Sequence, residues 1–176
     1  FSSWGVTPDL RLKPEVSAPG GSIYSAVLDG NYDHLSGTSM ATPQMTGVSA
    51  VVLQRVQSDP LFASMSAREK VDVVQNLIMG TARPIADAAQ ETGVFYSPRK
   101  QGSGIVDALA ATTSSVYPTV VGAPEQSRPK ADLGDGTTGW HFEVTLHNLS
   151  GTDASYSLSS QALSEDVDGG YFTGSS

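Results

Sequence analysis

The spacing of apolar residues in the middle of the chain predicts two helices. From residue 38 onward, apolar side chains recur three and four positions apart, which places them on one face of a long helix. The members of this face are Ala41, Met45, Val48, Val52 and Val56. A second helix is expected to start at Ser66, whose Ser-x-x-Glu capping box includes Glu69, and to stop at Gly80. Its apolar face is expected to hold Ala67, Val71, Val74 and Ile78.

The segment before the first helix alternates between apolar and polar residues. This alternation predicts a strand over residues 10–18, which Pro14 interrupts or confines to a sheet edge. A short strand over residues 23–28 should follow and end in an Asp-Gly-Asn turn. After the second helix, residues 81–100 have no apolar period and predict a long loop that is pinned or functional. Asp107 is the predicted N-cap of a short helix.

The pattern changes again after residue 112. A polar Thr-Thr-Ser-Ser link is followed by alternating segments with no helical period, which favours strands. The predicted strands cover residues 117–121, 140–147 and 155–158, with a turn at 148–153. One face of the middle strand holds Trp140, Phe142, Val144 and Leu146. We therefore divide the chain into residues 1–112 and 113–176.

Composition and charge exclude several classes of function. The chain has 176 residues, is 39 % hydrophobic, contains no cysteine and carries a net charge of −8. Residues 118–176 hold two basic and eight acidic side chains, so most of the negative charge lies there. Nucleic-acid binding needs clustered Lys and Arg, and it is not expected. No apolar run reaches the roughly 20 residues of a membrane helix. The missing initiator methionine suggests a piece of a longer protein, and the lack of cysteine is compatible with secretion.

Ser39 is the candidate catalytic residue. It follows Gly37 in a turn that opens directly into the first helix. A serine hydroxyl becomes a nucleophile when a base takes its proton and backbone donors stabilise the developing oxyanion. The unpaired N–H groups and the positive dipole end of a helix start would supply such donors.

This turn resembles the serine motif of the subtilisin-like serine proteases, Gly-Thr-Ser-Met-Ala-x-Pro. The matching residues are Gly37, Thr38, Ser39, Met40, Ala41 and Pro43. Residues 1–5 and 13–20 are similar to the strands that precede the nucleophile in this family, with Glu15 where an acid is usual. Gln44 departs from the histidine that often follows the proline. Residues 95–108 resemble the end of the catalytic domain in the cell-envelope proteinases of Gram-positive bacteria, the group of lactocepin and streptococcal C5a peptidase.

The resemblance implies an α/β fold in two parts. Residues 1–112 would be the C-terminal part of a subtilisin-like parallel-sheet catalytic domain. Residues 113–176 would be the first part of a fibronectin type III-like β-sandwich, whose unfinished state would expose an apolar face. The implied location is extracellular, secreted or attached to the cell wall.

The resemblance also implies peptide-bond hydrolysis through an acyl-enzyme on Ser39, with Thr38 and Gly37 supporting the oxyanion. The catalytic Asp and His and the oxyanion Asn precede the serine in this family, so this chain alone is expected to be inactive. The implied partners are a protein or peptide substrate and the remainder of the same protease chain; the substrate-binding residues stay unassigned. The alternative function is a noncatalytic cell-surface interaction or spacer module.

The remaining candidate groups are weaker. His34 lies close to Ser39 in sequence but is not expected to be its base, and His141 and His147 are expected to face solvent from a strand. No cofactor or metal is expected, with calcium as the alternative. The acids considered for calcium are Asp132, Asp135, Asp153 and those of residues 165–170, all better explained as solvated turns.

Overall fold

A computed structural model of the chain describes residues 2–8, 11–90, 93–121, 128–131, 133, 139–168 and 171–175. Phe1, Leu10, Asp132, Asp135 and residues 169–170, considered above, lie outside this described part. The helices are α1 (Thr38–Ser58), α2 (Ala67–Thr81), α3 (Pro98–Gln101) and α4 (Ala108–Thr113). The strands are β1 (Ile23–Ala26), β2 (Tyr32–Leu35), β3 (Val116–Val121), β4 (Glu143–Asn148), β5 (Glu165–Asp168) and β6 (Tyr171–Ser175).

The core forms where α1, α2 and α4 pack together. The predicted face of α1 is confirmed, because Val52 and Val56 are fully buried and Met45 and Val48 pack against the same cluster. The buried residues of this cluster are Val52, Val56, Phe62, Val73, Val74, Leu77, Ile78, Ala111 and Tyr117. Burying such side chains contributes roughly 1.5–3 kcal/mol each, so this seam dominates the stability of the fold.

The second helix begins as predicted. Ser66 Oγ accepts a hydrogen bond from Glu69 N at 3.3 Å, and Glu69 Oε2 accepts one from Ser66 N at 2.7 Å, which completes the capping box. The bonds from Ser66 hold the pKa of Glu69 below its usual value. The buried face is rotated from the predicted one, since Val73 and Leu77 are buried while Val71 is 42 % exposed.

The expected strand over residues 10–18 does not form. Within the described part, this segment makes only single bridges, from Leu12 to Val6 and from Ser17 to Ile105. Pro14 interrupts it, and its backbone pairs instead with the loop after α3, as in the 2.8 Å bond from Ser17 N to Gly104 O. β1 instead pairs with β2, a strand that was not predicted.

A parallel sheet is absent from the described strands. They pair antiparallel as β1 with β2, β3 with β4 and β5 with β6. The Ser17–Ile105 bridge is the one parallel pairing in this part of the chain. The mixture of helices and strands agrees with the α/β class.

The long loop after α2 is pinned, as expected. Buried Gln101 holds it from both sides, because its Oε1 accepts a bond from Ile85 N at 2.6 Å and its Nε2 donates to Tyr96 O. Asp107 is the predicted N-cap of α4, with Oδ1 accepting from Ala110 N at 2.9 Å. Arg55 of α1 donates to Ala111 O at 3.0 Å at the other end of α4. Such bonds satisfy carbonyls that a helix end leaves unpaired.

The strands predicted after residue 113 are confirmed only in part. β4 starts three positions later than predicted, and the predicted strand over residues 155–158 is wrong, because that segment is coil and Leu158 is 99 % exposed. The segment has no partner strand in the described chain, and a strand needs its ladder of hydrogen bonds. The side chains of Trp140, Phe142, Val144 and Leu146 are all substantially exposed.

His147 does not face solvent as expected. Its ring stacks on Tyr117 with centroids 4.5 Å apart, and its Nε2 lies 2.9 Å from Thr119 Oγ1. The His147 side chain is half-buried, and this burial lowers the pKa of His147. His141 is exposed, as expected. A search of the described helices finds none long and apolar enough to cross a membrane.

Replacing Ser66 with Ala tests the capping box. We expect the free energy of unfolding to fall by about 1 kcal/mol, because the start of α2 loses the acceptor for Glu69 N. Urea unfolding monitored by circular dichroism measures the change. Ser64→Ala is the matched control, since Ser64 is exposed in the preceding turn. Equal midpoints for the two variants would contradict the prediction.

Candidate active site

The turn before Ser39 depends on a backbone conformation that favours glycine. Gly37 has φ 157° and ψ 167°, a region that residues with a Cβ rarely occupy. Its N–H donates to Gly20 O at 2.8 Å. A Cβ on Gly20 would lie 2.7 Å from Gly37 O, so the two backbones approach this closely only because residue 20 is a glycine. This contact fixes where α1 begins.

The first turn of α1 presents unpaired backbone donors. Gly37 O accepts bonds from Met40 N at 3.0 Å and Ala41 N at 3.4 Å. The N–H groups of Thr38 and Ser39 find no acceptor among the described residues, as is usual for the first positions of a helix. Ser39 is exposed at this end. The arrangement can stabilise a negatively charged oxygen that forms beside the Ser39 hydroxyl.

No base contacts the Ser39 hydroxyl in the described part of the chain. His34, on β2, lies with Nδ1 3.1 Å from Ser22 O and 3.2 Å from Ser22 Oγ, and its ring lies 4.9 Å from the Tyr24 ring. These contacts join β2 to β1 and to the residue that precedes β1. The structure therefore brings Gly37, Thr38 and Ser39 together and leaves the three histidines in other contacts or exposed.

Two supporting residues did not emerge from the sequence. Gly20 accepts the Gly37 bond, and Gln44 Nε2 donates to Pro19 O at 2.8 Å. Together they tie the Pro-Gly-Gly break to the first turns of α1. The sequence shows a Pro-Gly-Gly break before the glycine turn, which could have indicated such a support. Only the fold shows that the two segments contact each other.

The acids considered for calcium have other roles or remain outside the described residues. Asp153 is exposed. Glu165 lies 2.7 Å from Arg99 Nε and 3.2 Å from Lys100 Nζ. Burial opposes ionisation of Glu165, but hydrogen bonds from Arg99, Lys100 and Ser97 outweigh it and lower its pKa. Across the described residues, no group of three or more His, Asp or Glu side chains is arranged to hold a metal ion.

Comparison with protein families finds a match that covers the segment around Ser39. The model of the subtilase family, peptidase S8, matches residues 1–104, more than half of the chain. The chain belongs to the subtilase family. The resemblance in the serine motif is thereby confirmed.

Individual relatives narrow the assignment. The chain is 31 % identical over 172 residues to C5a peptidase of Streptococcus pyogenes, a match that covers 98 % of this chain and 14 % of that protein. It is 34 % identical over 167 residues to PII-type proteinase of Lactococcus lactis subsp. cremoris, covering 91 % of this chain and 9 % of that protein. These relatives match the subgroup that residues 95–108 predicted. The chain thus spans a small part of the length of the curated relatives it matches.

A solved structure shows a weaker likeness. The CspB protease of Clostridium perfringens is 30 % identical, with a TM-score of 0.43 over 60 % of this chain and 21 % of that one. At that TM-score the likeness adds nothing to the family assignment.

Replacing Gly37 with Ala tests the turn. A Cβ there would have open space, with its nearest neighbour 3.8 Å away, so the penalty is conformational. We expect about 1–3 kcal/mol of strain and a displaced first turn of α1. In the whole protein, this should slow the labelling of Ser39 by a fluorophosphonate. Gly21→Ala is the control, because Gly21 has open space without a positive φ. Equal labelling rates for the two variants would contradict the prediction.

Proposed function

We propose that this chain supplies the nucleophile of a serine endopeptidase. Ser39 Oγ attacks the carbonyl carbon of a peptide bond, and the resulting oxyanion collapses to an acyl-enzyme as the amine leaves. The observation that supports this proposal is the exposed Ser39 hydroxyl beside the unpaired N–H groups of Thr38 and Ser39. Gly37 supports the site by holding the turn that exposes these groups.

The remaining catalytic groups are proposed to come from the rest of the same protease chain. A base must take the proton of Ser39 and return it to the leaving amine, and a carboxylate must orient that base. No described residue occupies these positions around Ser39. An additional side-chain donor would complete the oxyanion hole. Residues 1–176 are therefore proposed to be inactive by themselves.

We also propose the two-part organisation that the sequence suggested. Residues 1–112 would belong to the catalytic domain, and residues 113–176 would form the first strands of a fibronectin-like sandwich. The antiparallel β3–β4 pair and the exposed apolar side chains of β4 support this division. Further strands of the sandwich would cover those side chains.

The proposed substrate is a protein or peptide, and the proposed location is extracellular or on the cell wall. Support comes from relatives named as a peptidase and a proteinase, from Streptococcus and Lactococcus. The acidic net charge disfavours nucleic acid as a partner. No cofactor is invoked, and activity that survives dialysis against a calcium chelator would support that choice.

Labelling of the whole protein with a fluorophosphonate probe tests the nucleophile. We expect a covalent adduct on Ser39, and we expect Ser39→Ala to abolish the adduct and reduce peptide hydrolysis by several orders of magnitude. Ser58→Ala, at the exposed C-terminal end of α1, should leave both unchanged. An unlabelled whole protein that still binds other proteins would favour the noncatalytic surface module instead.

Purified residues 1–176 test the assignment of the other groups. The isolated chain should hydrolyse no peptide and react with the probe no faster than a free serine hydroxyl, because no base contacts Ser39 in the described structure. Peptide hydrolysis that disappears in Ser39→Ala would show that the chain contains its own base.

A further inference from the structure

Glu15 is held by a cation of its own segment and by two cations from one distant part of the chain. It contacts Lys13 Nζ, and its Oε1 lies 2.8 Å from Arg128 Nη1 and 4.0 Å from Lys130 Nζ. Arg128 is 113 positions away in sequence, in the part proposed to follow the catalytic domain. The side chains are mostly buried, with 22 % of Glu15 and 26 % of Arg128 exposed. Such a pair is less screened by solvent than a fully exposed one.

Arg128 also contacts the helical core. Its Nε donates to Gln75 Oε1 on α2 at 3.1 Å, while Lys130 Nζ donates to Leu12 O at 2.7 Å. Arg128, Glu15 and Gln75 line a cavity of about 200 Å³ that also touches Met45 of α1. A guanidinium has a fixed planar arrangement of donors, so it can hold Glu15 and α2 in one relative position.

The segment that starts at Glu15 leads to the nucleophile turn. Glu15 O accepts from Ser103 N at 2.9 Å, and a Cβ on Gly102 would lie 2.3 Å from the Glu15 carbonyl carbon, so there is little free space around it. Residues 15–20 end at Gly20, whose carbonyl accepts the bond from Gly37 N. Gln44 secures the same end through Pro19 O. Residues 15–20 therefore connect Glu15 by a short segment to the residue that accepts the Gly37 bond.

We propose that Arg128 is a positioning residue for the Ser39 nucleophile, acting through Glu15, residues 15–20 and the Gly20–Gly37 hydrogen bond. This inference rests on the proposed function of Ser39. Arg128 does not touch the reacting atoms. It fixes the far end of the segment against which the nucleophile turn is built, and thereby makes the geometry of the site depend on the part of the chain that follows residue 112.

The expected effect is on the rate of the chemical step. A misplacement of about 1 Å costs on the order of 10²-fold in rate, and a smaller displacement relayed through the backbone should cost about tenfold. Substrate binding by other parts of the cleft is not expected to change. If the ion pair were purely structural, its removal would lower the stability of the protein slightly and leave kcat unaltered.

The test uses the full-length protease with Arg128→Gln, Arg128→Lys and Glu15→Gln. For Arg128→Gln, kcat and the rate of fluorophosphonate labelling should fall about tenfold, with KM changed less than about twofold. Arg128→Lys keeps the charge beside Glu15 but loses the planar fork that also reaches Gln75, so it should recover only part of the rate. Arg68→Gln is the matched control, since Arg68 is 82 % exposed in a pair with Asp72 on the surface of α2, and it should keep the native kcat.

Several outcomes would overturn the inference. They are an unchanged kcat in Arg128→Gln, a loss of rate matched by a fall in Tm and not rescued by Arg128→Lys, or an equal loss in Arg68→Gln. If Arg128→Gln does not fold, Glu15→Gln keeps the Arg128–Gln75 bond and should show the same tenfold loss; an unchanged kcat there overturns the inference as well.

The variant Ser39→Ala separates this inference from the function on which it rests. If Ser39→Ala is inactive and Arg128→Gln has native kcat, only the positioning role fails. If Ser39→Ala retains activity, the proposed nucleophile fails, and the positioning role fails with it.

Discussion

The 2.8 Å hydrogen bond from Gly37 N to Gly20 O holds the turn on which the start of α1 and the site around Ser39 depend. It joins the break after residue 18 to the start of α1, at a distance that excludes a Cβ on Gly20. α1 begins directly after this turn, buries Val52 and Val56 in the core, and leaves the N–H groups of Thr38 and Ser39 without an acceptor among the described residues. The turn held by this contact therefore joins the helix that stabilises the fold to the residues that carry the proposed chemistry.

Side chains outside the core then connect the pieces around this helix. Gln101 closes the loop after α2, and Arg55 of α1 satisfies carbonyls at the end of α4. Each of these polar side chains bonds backbone groups that a loop or helix end would leave unpaired. The loop after α2 and the end of α4 are consequently fixed by specific hydrogen bonds, although the loop contains little regular structure.

Features governed by local rules could be predicted from the sequence. The capping box at Ser66, the N-cap at Asp107 and the buried face of α1 depend on neighbours within one or two turns. Features that depend on a distant partner could not. β2 was missed and residues 155–158 were wrongly assigned because pairing decides whether an extended segment is a strand, and His147 was misplaced because its ring stacks on Tyr117 of the neighbouring strand. The serine motif identified the family through its order of residues, whereas the supporting role of Gly20 required a contact between separate segments.

The surroundings of Gly80 show that the junction at residue 112 is more tightly packed than its polar sequence suggests. A Cβ on this residue would lie 2.8 Å from Cδ of Pro118, so the C-terminal turn of α2 and strand β3 meet with no room for a methyl group. The polar link between the two proposed parts looks like a flexible tether, but α2 and β3 are fitted against each other immediately after it. A chimera that joined this downstream part to another protease would need to carry over the complementary pair of Gly80 and Pro118 as well as the linker, because the shape of the junction is divided between them.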